Sequence, residues 1–235
     1  MHKLVVANYK MNGDKKFFVS VAKKINKTKA KDTKIVLCPP FVYLPFLKIK
    51  NKNVYLGAQD MSQVQNGKST GKVSPTMLKE FGTEYVIVGH SEIRCNGETE
   101  QTIKQKIKLA IDNQLVPIVC VGEKDKSSGL EELSSQIQSI LDAAAQGDNV
   151  VIAYEPVWSI GTGELPTVTK INKAVQVIKK QIKDKKLNAS ILYGGSVNEQ
   201  NCTELLKSKI DGFLLGGVSL KVDKFLQIVK VVDNV

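Results

Sequence analysis

Val150-Val151-Ile152-Ala153-Tyr154-Glu155-Pro156-Val157-Trp158-Ser159-Ile160-Gly161-Thr162-Gly163 contains one complete instance of the plan on which the chain is built. It opens on a nearly continuous apolar, β-branched run, the pattern of a strand covered on both faces as in parallel sheets. Pro156 fixes φ and ends the strand. A small, polar, glycine-bearing segment follows and reaches Pro166. Apolar residues then recur at helical spacing over 169–183, with Thr167 placed to cap the first turn. The order is strand, loop, helix.

The same order recurs along the chain. Strand-like runs fall at 4–8, 34–38, 54–59, 85–90, 117–122, 150–154, 190–193 and 212–215. Amphipathic segments lie between them. Residues 102–113 place Ile103, Ile107, Ala110 and Ile111 on one stripe, and 130–145 shows the same period. No Pro/Gly/Ser linker is long enough to divide the 235 residues. We therefore expect one α/β domain over 1–235, a single (β/α)8 barrel with parallel strands, with an open doubly wound sheet as the rival topology.

Composition narrows the function classes. Hydrophobic residues are 42% and charged residues 24%, ordinary for a globular chain. No run reaches the ~18 apolar residues of a membrane span, and the first apolar run is too short for a signal-peptide core, so we expect a cytoplasmic protein with no membrane partner. Cys38, Cys95, Cys120 and Cys202 form no C-x-x-C pair, which points to free thiols and no zinc site. The net charge is +11, and 33 of the 34 basic residues are lysine, Arg94 being the exception. The lysines are spread along the sequence. Arginines for bidentate base contacts and aromatics for stacking are not evident, so no nucleic-acid partner is expected.

Polar, glycine-bearing segments follow several strands, at 59–74, 156–166 and 193–198. In a barrel this end carries the active site. Glu155 stands where an apolar strand stops, under a segment bounded by Pro156 and Pro166 that reads as a hinged lid. A carboxylate so covered loses water, which raises its pKa and basicity. His90 closes the run 85–90; it is either a satisfied core residue or faces the same cavity. No second histidine or suitably placed cysteine is near it, so no metal is expected. Asn8 and Lys10 share a side of an extended chain, as an amide donor and a cation, although a plain surface lysine is the alternative for Lys10. Two Gly-Gly turns, Gly194-Gly195 and Gly216-Gly217, end the last two strand-like runs. Glycine lets backbone N–H groups approach an anion, and loops seven and eight are where barrels commonly hold phosphate.

Taken together, Asn8-Tyr9-Lys10-Met11-Asn12, Gly89-His90-Ser91-Glu92, Ala153 through Gly163, Tyr193-Gly194-Gly195-Ser196-Val197 and Gly216-Gly217-Val218-Ser219-Leu220 resemble the motifs of the triosephosphate isomerases, in order and over essentially the whole chain. That family often serves to illustrate lid gating and pKa tuning. The resemblance implies interconversion of dihydroxyacetone phosphate and D-glyceraldehyde 3-phosphate without a cofactor, in glycolysis and gluconeogenesis. It implies Glu155 as the base, His90 as a neutral proton shuttle, Lys10 with Asn8 as stabilisers of the enediolate, and Glu92 as the partner of Lys10. It also implies phosphate binding by the N–H groups of Gly161, Ser196, Gly216 and Gly217, with Tyr193 and Ser196 as partners of the closed lid. Finally, it implies a homodimer through loop 67–72, with Thr70 entering the partner. The chain departs from the family at Ile93, at Lys72, in the hinge Glu164-Leu165-Pro166, and in a shorter 124–147 segment.

Overall fold

In a computed structural model, which describes residues 3–160, 162 and 164–235, eight strands pair in chain order and close on themselves. They are β1 (Lys3–Asn8), β2 (Thr33–Cys38), β3 (Val54–Ala58), β4 (Thr83–Val88), β5 (Val116–Val121), β6 (Asn149–Tyr154), β7 (Asn188–Gly194) and β8 (Gly212–Leu215). Every pairing is parallel, including β1 with β8. The helices are α1 (Lys15–Ile25), α2 (Pro75–Glu80), α3 (Ser91–Cys95), α4 (Glu100–Asp112), α5 (Leu130–Ala143), α6 (Val168–Lys185), α7 (Cys202–Leu206) and α8 (Val222–Asp233). The fold is the (β/α)8 barrel expected from the sequence.

Local chemistry sets these elements. The side chains of Asp14, Thr99 and Thr167 each accept a first-turn N–H, from Phe17, Thr102 and Lys170 respectively, so α1, α4 and α6 begin on satisfied donors. The β2–β3 crossover is a short 3₁₀ helix, Phe41–Phe46, because Pro45 inside it lacks the N–H and crowds the turn that an α-helix needs. Where the expectations missed, the cause is local. Run 85–90 ends early, since Gly89 turns out of the ladder at φ +68° and His90 becomes the cap of α3. Helix α5 stops at Ala143 because Ala144 is extended.

Strand alternation divides the apolar side chains into two sets. Leu4, Val6, Cys38, Ile87, Ile118, Cys120, Val151, Ala153, Leu192 and Leu214 fill the barrel. Val5, Ala7, Ile35, Leu37, Val86, Val88, Val119 and Val121 face outward, beneath the helices. Each fully buried Val, Leu or Ile contributes roughly 1.5–3 kcal/mol of transfer free energy. The inward series continues past the last apolar layer at the strands' C-terminal ends. After Val6 comes Asn8, after Ala153 comes Glu155, after Leu192 comes Gly194 and after Leu214 comes Gly216. The alternation that fills the core thus delivers these residues to the barrel mouth.

Candidate active site

Asn8, Lys10, His90, Glu155, Ser196, Gly216 and Gly217 line one cavity of about 270 Å³ at the C-terminal ends of the strands. Glu155 is buried, 5% exposed, with Oε1 3.7 Å from His90 Nε2. Its Oε2 is buried without a hydrogen-bond partner. Burial pushes the Glu155 carboxyl above the usual carboxylate range; His90, the Cys120 thiol and Lys10 pull in the opposite direction without cancelling it. Two glycines make this position possible. A Cβ on Gly194 would stand 2.7 Å from Glu155 Cγ, and one on Gly122 would stand 2.0 Å from the Glu155 main-chain oxygen.

His90 is held by the start of α3. Its Nδ1 accepts the Glu92 N–H at 3.2 Å, which leaves Nε2 as the nitrogen that faces Glu155 and can donate toward the cavity.

Lys10 reaches the site by a different route from the one expected. Strand β1 ends at Asn8, and Lys10 is not the next residue on its side. Instead Lys10 takes a left-handed conformation, φ +51°, uncommon for a residue with a Cβ. Two amides hold it there: Asn8 Oδ1 accepts the Lys10 N–H at 3.0 Å, and Gln59 Nε2 donates to Lys10 O at 2.9 Å and to Cys38 O at 2.8 Å. With Oδ1 so engaged, Asn8 has its amide nitrogen to offer a ligand. Lys10 Nζ lies 2.6 Å from Glu92 Oε1. Glu92 itself stands behind Lys10 and is not part of the cavity lining.

One side of the cavity is built from glycine, with Gly194, Gly195, Gly216 and Gly217 in its lining. Gly217 opens the 3₁₀ turn Gly217–Leu220, and nothing approaches the space its Cβ would take. Ser196 Oγ donates to Ser159 O at 3.2 Å, joining the seventh loop to the sixth. The Tyr193 hydroxyl is buried with no partner. Gly161 lies outside the described residues. Among the described residues no group of three His, Cys, Asp or Glu side chains is arranged to hold a metal, and no helix is long and apolar enough to cross a membrane.

Sequence reasoning passed over Gln59 and Glu123. Glu123 is 1% exposed. Its carboxylate accepts the Tyr154 hydroxyl and Trp158 Nε1, each at 3.1 Å, and pairs with Lys170 Nζ at 3.2 Å. The lysine also lies 4.6 Å above the Trp158 ring. At the trailing hinge, Glu164 pairs with Lys126 at 2.8 Å. The single Arg94 donates to Gly89 O and Cys120 O and pairs with Glu100, so one guanidinium joins the ends of β4 and β5 to α4.

The family model described as triosephosphate isomerase matches residues 3–232. The triosephosphate isomerase of Dehalococcoides mccartyi is 44% identical over 205 residues, covering 82% of this chain and 81% of the relative. That of Wolbachia pipientis is 39% identical over 234 residues, 98% and 94% of the two chains. That of Borrelia garinii is 40% identical over 244 residues, 96% of each.

Proposed function

The chain belongs to the triosephosphate isomerase family and is an isomerase of triose phosphates, interconverting dihydroxyacetone phosphate and D-glyceraldehyde 3-phosphate; from that premise we propose how its residues divide the work. The Glu155 carboxylate removes a proton from C1 of the ketone, and the electron pair moves to the C2 oxygen to give an enediolate. His90 Nε2–H gives its proton to that oxygen and recovers one from the C1 hydroxyl. Glu155 then returns its proton to C2. Lys10 and the Asn8 amide stabilise the charge on the oxygens, and Glu92 holds the Lys10 ammonium in place. The N–H groups of Gly161, Ser196, Gly216 and Gly217 hold the phosphate, and residues 156–166 close over it against Tyr193 and Ser196. Water exclusion matters because a free enediolate can lose phosphate.

One observation carries this reading: a buried carboxylate with an unpartnered oxygen, 3.7 Å from a nitrogen that can donate, in a cavity of small-metabolite size. A group so placed is suited to general-base work. Coupled-assay kinetics of Glu155→Gln test it. Turnover is expected to fall at least ~10²-fold with the fold retained; a near-normal rate would refute the assignment.

The same proposal extends to assembly and place. The protein works in the cytoplasm as a homodimer through loop 67–72, with Thr70 entering the partner. Residues 67, 68 and 70–72 are exposed, as is Met11 at 95%, which suits burial against a second copy. Sedimentation at micromolar concentration is expected to show a dimer, and an active monomer would contradict it.

A further inference from the structure

The positive charge of this chain is concentrated. Residues 23–52 hold nine lysines and a single acidic residue, Asp32, so they supply eight of the eleven net charges. Lys27, Lys29 and Lys31 alternate with half-buried Asn26, Thr28 and Ala30, and all three lysines are exposed. Lys48, Lys50 and Lys52 alternate in the same way with Leu47, Ile49, Asn51 and Asn53. Each segment thus shows solvent a row made only of lysine. In sequence the two rows are seventeen residues apart, from Lys31 to Lys48.

The fold joins them. Asn26 Nδ2 donates to Lys48 O at 2.8 Å and Asn26 Oδ1 accepts the Lys50 N–H at 2.8 Å. Asn51 Nδ2 donates to Thr28 O at 2.7 Å, and Asn53 Nδ2 to Ala30 O at 2.6 Å. The inward asparagines stitch the loops together, and the outward lysines form two neighbouring rows. Nearby acids do not neutralise them. Asp233 accepts the N–H groups of Lys31, Asp32 and Thr33, and Asp223 pairs with Lys24. Among the described residues none of the six row lysines pairs with a carboxylate.

The loops lead into the starts of β2 and β3, so the rows lie at the end of the barrel opposite the cavity. We infer that this face binds single-stranded nucleic acid through its phosphate backbone, independently of base sequence and of the isomerase site. Two adjoining loops that expose lysine at every second position set a patch of point charges along which a flexible polyanion can lie. Lysine suits phosphate as a point charge. The side chains between the lysines point inward, which leaves no apolar wedge for a bilayer and no aromatic platform for bases. The inference departs from the expectation of no nucleic-acid partner, which took the lysines as spread along the chain; residues 23–52 gather them already in sequence, and the fold sets the two rows side by side.

The test is fluorescence anisotropy of a labelled single-stranded RNA of mixed sequence against the full chain across a salt series. Saturable binding is expected, with log K falling against log salt at a slope of roughly −4 for six contacts. The sextuple variant with Gln at 27, 29, 31, 48, 50 and 52 is expected to lose at least tenfold in affinity and most of the slope, with isomerase kinetics and melting temperature unchanged. A control with Gln at Lys173, Lys180, Lys183, Lys185, Lys207 and Lys221 carries the same net charge and is expected to stay within about threefold of the parent. Equal loss in both variants overturns the inference, as does absence of RNA binding, or binding to anionic phosphatidylserine vesicles without binding to RNA. Isomerase kinetics, read in parallel, keep a failure here distinct from a failure of the catalytic assignments.

Discussion

The ends of β5 and β6 place two glutamates side by side, both buried and each at the exit of an apolar strand. Glu123 is 1% exposed and Glu155 is 5% exposed, so burial alone does not tell them apart. Partners do. Glu123 has a tyrosine hydroxyl, an indole N–H and a lysine ammonium around it. Glu155 has one oxygen with no partner and the other 3.7 Å from a histidine nitrogen. A buried charge that is fully partnered is fixed in place and holds its neighbours; one left short of partners is costly and basic. The first is a strut for the leading hinge, where Val157 N also donates to Glu123 O at 3.0 Å. The second stands as the proposed base requires, buried and short of partners.

Exchanging each carboxylate for an amide separates these roles most widely. Glu155→Gln carries the turnover loss set out above, worth about 2.7 kcal/mol or more in the barrier. Its melting temperature is expected to stay level or rise, because a desolvated charge is removed. Glu123→Gln is expected to do the reverse. It gives up charge-assisted bonds worth about 1.5–3 kcal/mol of stability while keeping turnover within roughly tenfold, since general-base catalysis itself is untouched. A Glu123 variant as dead as the Glu155 variant, with full stability, would erase the distinction.

The two glycines beside Glu155 give a second pair. In Gly194→Ala the new methyl meets the Glu155 side chain, so kcat is expected to drop about tenfold through misplacement of the base. In Gly122→Ala the methyl meets backbone that cannot yield, so the loss is expected in melting temperature first. Equal activity and stability profiles for the two would contradict this division.

The pH dependence sharpens the contrast with a smaller signal. The Glu155 pKa is raised in the folded chain by burial. The folded state therefore holds a proton that the unfolded state, with a pKa near ~4.3, has released. Stability from this group is fully present below that unfolded value and is lost as pH rises through the folded one. The catalytic consequence runs the other way, since activity needs the carboxylate. The acid limb of kcat/KM is expected to fall above ~4.3, and the stability slope in that window is expected to vanish in Glu155→Gln. An acid limb at the ordinary carboxylate value would contradict the burial argument.

The smallest effect is optical. Trp158, the chain's only tryptophan, is half-buried and bonded to Glu123 through Nε1. A phosphate-bearing substrate analogue that closes residues 156–166 is expected to give a saturable change in its fluorescence. Glu123→Gln is expected to shift the starting signal. An indole unmoved at fully inhibiting concentrations would detach the hinge from the strut.

Much of this was written in the order of residue types. Eight β-rich runs and the helical stripes between them specify a barrel because period two and period 3.6 each leave one set of apolar positions to bury. Glu155, His90 and the Gly-Gly turns were legible because strand C-terminal ends converge in such a fold. The sequence could not rank Glu123 against Glu155, since both are a glutamate after an apolar run. Their difference lies in Tyr154, Trp158 and Lys170, which reach Glu123 from the stretch around Glu155 and from α6, and in His90, which reaches Glu155 from the end of β4. Nor could alternation explain Lys10, which arrives through a left-handed turn secured by Gln59 from 49 residues away. The lysine rows follow the same rule: the sequence sets the alternation within each loop, but only asparagines bonding across the barrel's lower rim set the loops side by side. Local periodicity and the lysine richness of 23–52 are properties of neighbours along the chain and can be read there; hydrogen-bond partnership and the pairing of the two rows are properties of neighbours in space, and folding alone supplies them.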